Sequence, residues 1–279
     1  MQAYNVADLA EALETWTTGS PTGWVWLDRQ LGLDASKPRY QCEIASSAEA
    51  IEASQRLRYR VFAQEMGASL ESGMDFIDVD AFDTYAEHLL VRDAFTNEVV
   101  ACTRILNDSS AKAAGSWYSA QEFDLGKVLS LPGRKLEIGR TCVDSRFRNG
   151  AVIAVLWQGL AQMIKRYDAQ WLFGCASLTM TNSCEEDSYA AVYLAQQQCL
   201  NKQGLPIEQR LSSLNPIPTV DLTGAQAAKL PPLLKAYISL GAKIGGEFFY
   251  DEDFQCADAF ILLQVSEINQ RYARHFGIV

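Results

Sequence analysis

KLEIGRTCVDSRFRNGAVIAVLWQGLAQMIKRYDAQWLFGCASL, residues 135–178, reads as an apolar strand, a basic turn, a long amphipathic helix and a second apolar strand. Those four pieces make one β-α-β unit, whose two strands are expected to be parallel. The turn sets Arg146, Arg148, Asn149, Gly150 and Ala151 at the start of the helix, where unsatisfied N–H groups and the positive end of the helix dipole favour a phosphate. The spacing therefore points to a phosphate-bearing carrier.

The charge distribution sharpens this expectation. The 279-residue chain has a formal net charge of -10, which disfavours a general nucleic-acid surface. Residues 127–148 nevertheless carry six bases against two acids, a local +4, so the remainder sums to about -14. A solvated loop with incidental arginines is the competing reading of that segment.

Working outward, 48% hydrophobic content supplies a sizeable core, and the length suits one large domain. Residues 1–40 read as an N-terminal extension and 41–279 as the folded domain. The start, MQAYNVADLAEALE, has neither a basic cluster nor an apolar run, so the expectation is a protein made and kept in the cytoplasm. Seven cysteines without a CxxC pair suggest reduced thiols, and no metal site is expected. Ser46 followed by Glu49 has the pattern of a capping box opening a helix to about Glu65. His88–Arg92 and Val99–Leu106 alternate as a β-hairpin around Asn97. Residues 107–131 show no clean period. Further on, a helix is expected near Glu185–Leu200, another from Pro231 and Pro232 to Gly241, a strand over Ala257–Val265 and a last helix capped by Ser266.

Arg58, Phe62 and Glu65 share one face of the first helix, and a buried arginine there needs partners. Asp75, Asp78, Asp80 and Asp83 follow closely. The strings RLRYRVFAQEMG, DVDAFDTYAEHLLVRD, VVACTRIL, LEIGRTCVDSRFRNGAVIAVLWQGLAQ and LFGCASL, in this order, resemble the acyltransferases that make lyso-ornithine lipid, within the GNAT superfamily. The likeness resumes at LPPLLKAYISLGAKIGGEFFYDEDFQCADAF and is similar, more distantly, to the acyl-homoserine-lactone synthases. The resemblance rests on Arg58 and Phe62, Asp80 and Asp83, Arg104, and Glu137 and Arg140. It implies an α/β, GNAT-like, mostly antiparallel mixed sheet splayed at its centre and flanked by helices. It also implies transfer of a long-chain (3-hydroxy)fatty acyl group from acyl carrier protein to the amine of a small amino acid, ornithine foremost, in lipid biosynthesis. Alternatives are a lactone or other N-acyl amino acid synthase, or a non-catalytic module that binds acyl thioesters.

Arg148-Asn149-Gly150-Ala151-Val152 is one residue shorter than the usual GNAT phosphate loop, which favours the single phosphate of a carrier-borne pantetheine arm over coenzyme A. QEMGASL lacks the tryptophan of the lactone synthases. No cofactor beyond the acyl carrier protein donor is expected, and contact with the inner membrane face through a lipid product follows from the same resemblance.

For chemistry, Glu137 is the candidate amine binder or water-linked base, with Arg140 and Arg104 fixing the acidic loop or a substrate carboxylate. In a regular strand Glu137 and Arg140 face opposite sides, so a bulge at Gly139 is expected to bring both to one cleft. The competing reading is a buried ion network joining Glu137, Arg140 and Arg104 to Asp80 and Asp83. His88 is a candidate base with a structural role as its alternative, and Cys175 a candidate substrate contact set against plain core packing. Arg58, Phe62, Asp80, Asp83 and Arg104 complete the expected substrate-binding set.

Overall fold

The computed structural model describes residues 38–70, 75–148, 150–180 and 185–278. The expected extension over residues 1–40, and Asn149 of the basic turn, fall almost wholly or wholly outside the described residues.

The quoted stretch folds as its periodicity requires. Strand β4 (Arg134–Val143) leads through the basic turn to helix α4 (Gly150–Tyr167) and strand β5 (Ala169–Thr179), and β4 and β5 pair in parallel. One stripe of α4, including Val152, Leu156, Trp157, Leu160 and Ile164, is buried against the sheet. Full burial of such side chains is worth about 1.5–3 kcal/mol each. The hairpin is also present, as β2 (Glu87–Asp93) and β3 (Val99–Asn107), with Asn97 in the left-handed region at φ 60°.

The β-α-β unit and the hairpin belong to an eight-stranded sheet ordered β1-β2-β3-β4-β5-β8-β6, with β7 also paired to β8. The remaining strands are β1 (Tyr40–Ile44) at one edge, β8 (Cys256–Gln264) beside β5, and the short β6 (Lys243–Ile244) and β7 (Phe249–Asp251) on the far side of β8. Every named pairing except β4–β5 is antiparallel. Helix α1 (Ala48–Tyr59) covers one face through Leu57 and, just past its end, Val61, packed with Leu90, Cys102 and Cys142. Helices α6 (Pro232–Leu240) and α7 (Gln270–His275) pack on the α4 side, where Trp157 meets the rings of Tyr237 and Phe276. The fold is the α/β, mostly antiparallel mixed sheet with flanking helices that the sequence led us to expect.

Several local details differ from expectation. Ser47, not Ser46, caps α1, accepting from the Ala50 N–H at 3.3 Å. Beyond Tyr59 the helix widens into π-type turns over Arg60–Glu65, which a hydrophobic period does not reveal. Asn269 rather than Ser266 caps the last helix. The aperiodic region holds two short helices, α2 (Asp108–Ala114) and α3 (Gly126–Leu129), with a 3-10 turn at Tyr118–Gln121 between them. Helix α5 (Glu185–Gln203) matches the expected one. No helix of the described residues is long and apolar enough to cross a membrane.

Candidate active site

The site begins where two parallel strands stop pairing. Strands β4 and β5 are in register only from Arg134 to Glu137 on one side and Ala169 to Phe173 on the other. Beyond that point β4 follows β3 and β5 follows β8, so the strands splay. At the crotch, a Cβ built on Gly174 would lie 2.1 Å from the Ile138 carbonyl oxygen, which only glycine avoids. The β3–β4 ladder slips in the same place, with Cys102 opposite Cys142 but Arg104 opposite Gly139. Three steps on β4 therefore face two on β3, and Arg140 takes up the extra residue at φ 51°. A non-glycine residue held there is strained backbone. The expected bulge is present, and Glu137 and Arg140 both line the resulting cleft.

The cleft has a volume of about 1150 Å³. Its lining includes Phe62, Glu65 and Arg148, the mostly apolar stretch Ala227–Ala236 with its two lysines, and Glu122, Cys175, Asp251 and Asp258. Glu137 lies next to the crotch. Its Oε2 accepts from the Tyr118 N–H at 2.8 Å, and its Oε1 from the Ser119 N–H at 2.6 Å and the Ser119 hydroxyl at 2.5 Å. Burial pushes this carboxyl up, and the three donors offset part of that rise. Ser119 Oγ also sits 3.3 Å from Cys175 Sγ, so it bridges Glu137 to the cleft wall. Burial raises the Cys175 thiol well above its ordinary range, which keeps it protonated and a poor nucleophile.

The remaining motif residues form an ion network behind the cleft. Arg58, 1% exposed, donates to Asp78 Oδ2 at 2.7 Å, to the Asp78 carbonyl at 2.7 Å and to both Asp83 oxygens at 2.8 and 3.0 Å. Arg104 reaches Asp80 at 2.5 Å and Asp83 at 3.1 Å. Burial alone would raise the Asp83 carboxyl, but the Arg58 and Arg104 guanidinium groups hold it well below the usual carboxylate range. Arg140 closes the network with Nη2 at 3.2 Å from Asp80. Its Nε lies 3.2 Å from Asp78 at an angle too poor for a hydrogen bond. The guanidinium is sandwiched between the Tyr118 and Phe254 rings at 4.8 Å from each. Thus Arg104, Arg140, Asp80 and Asp83 do form a buried network, and Glu137 stands outside it, bonded to the 118–119 backbone.

His88 is buried away from the cleft lining, with Nε2 3.1 Å from the Asp83 carbonyl. A carbonyl only accepts, so Nε2 carries the proton, and burial keeps the imidazole neutral by lowering its pKa. The basic turn is largely neutralised. Arg146 pairs with Asp144 at 3.0 Å and Glu98 at 3.4 Å, and Arg148 pairs with Glu65, donates to the Val143 carbonyl at 3.1 Å and borders the cleft. Gly150 and Ala151 begin α4 and are not among the cleft-lining residues. Lys229 and Lys235 also line the cleft and form no ion pair among the described residues. Burial, with Lys229 nearby, lowers the Lys235 ammonium pKa.

Sequence reasoning missed the acidic floor. Glu122 and Asp258 are both buried, and Asp251 is half-buried, bonded to the Phe254 N–H at 2.9 Å. Burial and the Asp258 charge push Glu122 well up, and burial pushes Asp258 up to about 6. These acids come from the aperiodic segment and from β7 and β8. A single acid per strand is no local signal, and it is the pairing of β7 with β8 that brings Asp251 and Asp258 together in the cleft that Glu122 also lines.

Comparison with known proteins agrees with this geometry. A family model described as an acetyltransferase (GNAT) domain matches residues 57–158. A solved CoA-dependent acyl-homoserine lactone synthase, BjaI with MTA, shares the fold at a TM-score of 0.50 and 13% identity, over 85% of this chain and 90% of that one. Two proteins named L-ornithine N(alpha)-acyltransferase, from Brucella abortus (strain 2308) and Rhizobium meliloti (strain 1021), are each 33% identical over 85% of this chain, covering 88% and 84% of their own lengths. With a GNAT sheet splayed around an intact cleft and that identity over most of its length, the chain is an acyltransferase and belongs to the L-ornithine N(alpha)-acyltransferase family.

Proposed function

We propose that the protein transfers a long-chain (3-hydroxy)fatty acyl group from acyl carrier protein to the α-amine of ornithine, in lipid biosynthesis. The observation that carries this reading is the splay of β4 from β5 at a strained bulge, in a cleft lined by both a largely apolar stretch and several carboxylates. A thioester laid between the splayed strands places its carbonyl beside the β4 edge, whose N–H groups beyond Glu137 have no ladder partner on β5. Such donors stabilise the oxygen as it becomes negative. The amine attacks the carbonyl carbon and loses its proton to Ser119 Oγ as the Ser119 hydroxyl passes its own to Glu137, whose raised basicity suits the task. The C–S bond breaks and the pantetheine thiolate leaves, taking up the proton that Glu137 received, so that the free thiol is released and Glu137 is again a carboxylate.

Carrier protein is favoured over coenzyme A by the short phosphate loop and by the pairing of Arg146 and Arg148 within the protein. Lys229 and Lys235 remain to meet one phosphate. The non-catalytic module considered from sequence falls away with the family assignment. The product, an acylated amino acid, would bring the enzyme to the inner membrane face at release.

The test is to mix the purified chain with 3-hydroxyacyl carrier protein and ornithine, following thiol release and the amide by mass spectrometry. Amide formation at a rate well above that with the matching acyl-coenzyme A is expected. Equal or faster turnover with coenzyme A thioesters removes the carrier from the reading, and no amide with either donor removes ornithine acylation itself.

A further inference from the structure

Three carboxylates, Glu122, Asp251 and Asp258, and the Cys256 thiol border the cleft, and none of the three forms an ion pair among the described residues. Donor atoms of Asp251, Cys256 and Asp258 all lie within 4.8 Å of one another. Glu122, 4% exposed, lines the same cleft, and its Oε2 has no hydrogen-bond partner among the described residues. An acceptor atom buried and left unsatisfied costs free energy that a ligand with N–H groups recovers. The nearby guanidinium cannot serve, because Arg140 is spent on Asp78, Asp80 and the Tyr118 hydroxyl.

The geometry suits one chemical group. An ammonium presents three N–H bonds at tetrahedral angles, and acceptors at ~2.8 Å from its nitrogen stand roughly 4.6 Å apart. The Asp251 and Asp258 carboxylates, with donor atoms within 4.8 Å of one another, are close enough to share such a group, and Glu122 lines the same cleft. A neutral amino acid would leave Glu122 Oε2 as it is, buried and unpartnered.

Resting on the function proposed above, we propose that Glu122, Asp251 and Asp258 form the subsite for the acceptor's side-chain ammonium. The enzyme then selects an amino acid with a second, terminal amine over a neutral one of equal length. Glu122 and Asp258 are specificity residues in this assignment, distinct from the proton path through Ser119 and Glu137. Glu122 owes its place to Glu137, since the 118–121 turn that Glu137 holds leads directly into it. Because burial favours the protonated acids in the empty site, an ammonium entering it also releases protons.

Equilibrium binding tests the assignment separately from turnover. Calorimetric titration of the full-length protein with ornithine and with norvaline, which lacks only the terminal amine, is expected to show ornithine bound roughly 10- to 100-fold more tightly. The ornithine heat should vary with the ionisation enthalpy of the buffer. Glu122→Gln and Asp258→Asn should each remove most of the discrimination while leaving norvaline binding as in the wild type. Equal affinity of the wild type for both ligands, or no ornithine binding at millimolar concentration, overturns the subsite even if the variants fail to fold. Parallel loss of both ligands in folded variants overturns it as well. Stoichiometric Zn2+ or Mg2+ binding that Asp258→Asn abolishes, with ornithine discrimination intact, would reassign the floor to a metal. Failure of amide formation with selective ornithine binding preserved would count against the proposed reaction and not against the subsite.

Discussion

Glu137→Gln is the perturbation that separates the structural tie Glu137 makes from the proton transfer proposed for it. Both carboxylate oxygens of Glu137 face backbone N–H groups, Tyr118 on one and Ser119 on the other, with the Ser119 hydroxyl as a third donor. An amide has one oxygen, so its NH₂ must point at a donor. The least costly orientation keeps the oxygen on Ser119 and orphans the Tyr118 N–H, at about 1–3 kcal/mol. The two surviving bonds lose charge assistance, worth about 1 kcal/mol each, and removal of the burial penalty on the ionised carboxylate returns part of that. A net loss of about 2–3 kcal/mol follows, which for a domain of this size lowers Tm by about 4–12 °C. Differential scanning calorimetry reads the shift, and steady-state kinetics of the same samples at a temperature well below it reads kcat. Ser119→Ala is the control, since it deletes the proton path and one bond but leaves both backbone donors satisfied. Its Tm should fall by less than about 4 °C while kcat drops by at least about 10-fold. A Glu137→Gln protein melting within 2 °C of wild type would show that the carboxylate is not the tie of the 118–121 turn, and an unchanged kcat in Ser119→Ala would refute the relay.

Asp83→Asn removes the buried carboxylate that Arg58 and Arg104 share, leaving Arg58 with Asp78 and Arg104 with Asp80, and should destabilise by about 3–5 kcal/mol in urea unfolding, a loss under 1 kcal/mol being inconsistent with the network described. Since the Asp83 carboxyl is held low, its contribution is present above the ordinary carboxylate pKa near 4 and is lost as pH falls toward its folded value, so the variant should lose less stability than wild type on acidification below pH 4. Asp258 has the opposite sign: its carboxyl is raised to about 6, so its own contribution to stability is fully present below the ordinary carboxylate pKa near 4 and is lost as pH rises through about 6. Asp258→Asn should flatten that decline, worth ~3 kcal/mol for a shift of this size, between pH 4 and 7, and an unaltered profile would place the titration elsewhere. Gly174→Ala pushes a methyl against the Ile138 carbonyl and should either prevent soluble expression or lower Tm by more than about 5 °C, whereas a stable, fully active variant would contradict the close approach at the crotch.

The β-α-β unit and the hairpin were legible in the chain because hydrophobic period is a local property: the α4 stripe and the alternation of β2 and β3 are written within each segment. The partners of Arg58 and Arg104 were legible for a related reason, as their aspartates follow within one loop. Short edge strands β1, β6 and β7 were not, since two to five residues establish no period and are held by their neighbours. The charged turn shows the limit most clearly. Its local +4 was a correct count, but Glu65 and Glu98, far away in sequence, return to neutralise much of it. Conversely, Glu122, Asp251 and Asp258 look unremarkable one by one and come to line one cleft only when β7 pairs with β8 and the 118–125 segment folds over it. Sequence by itself determined the elements and the order of their motifs, because those depend on neighbours along the chain. Tertiary structure alone decided which charges are compensated and which are left to meet a ligand, because Coulomb energy and desolvation depend on distance through space.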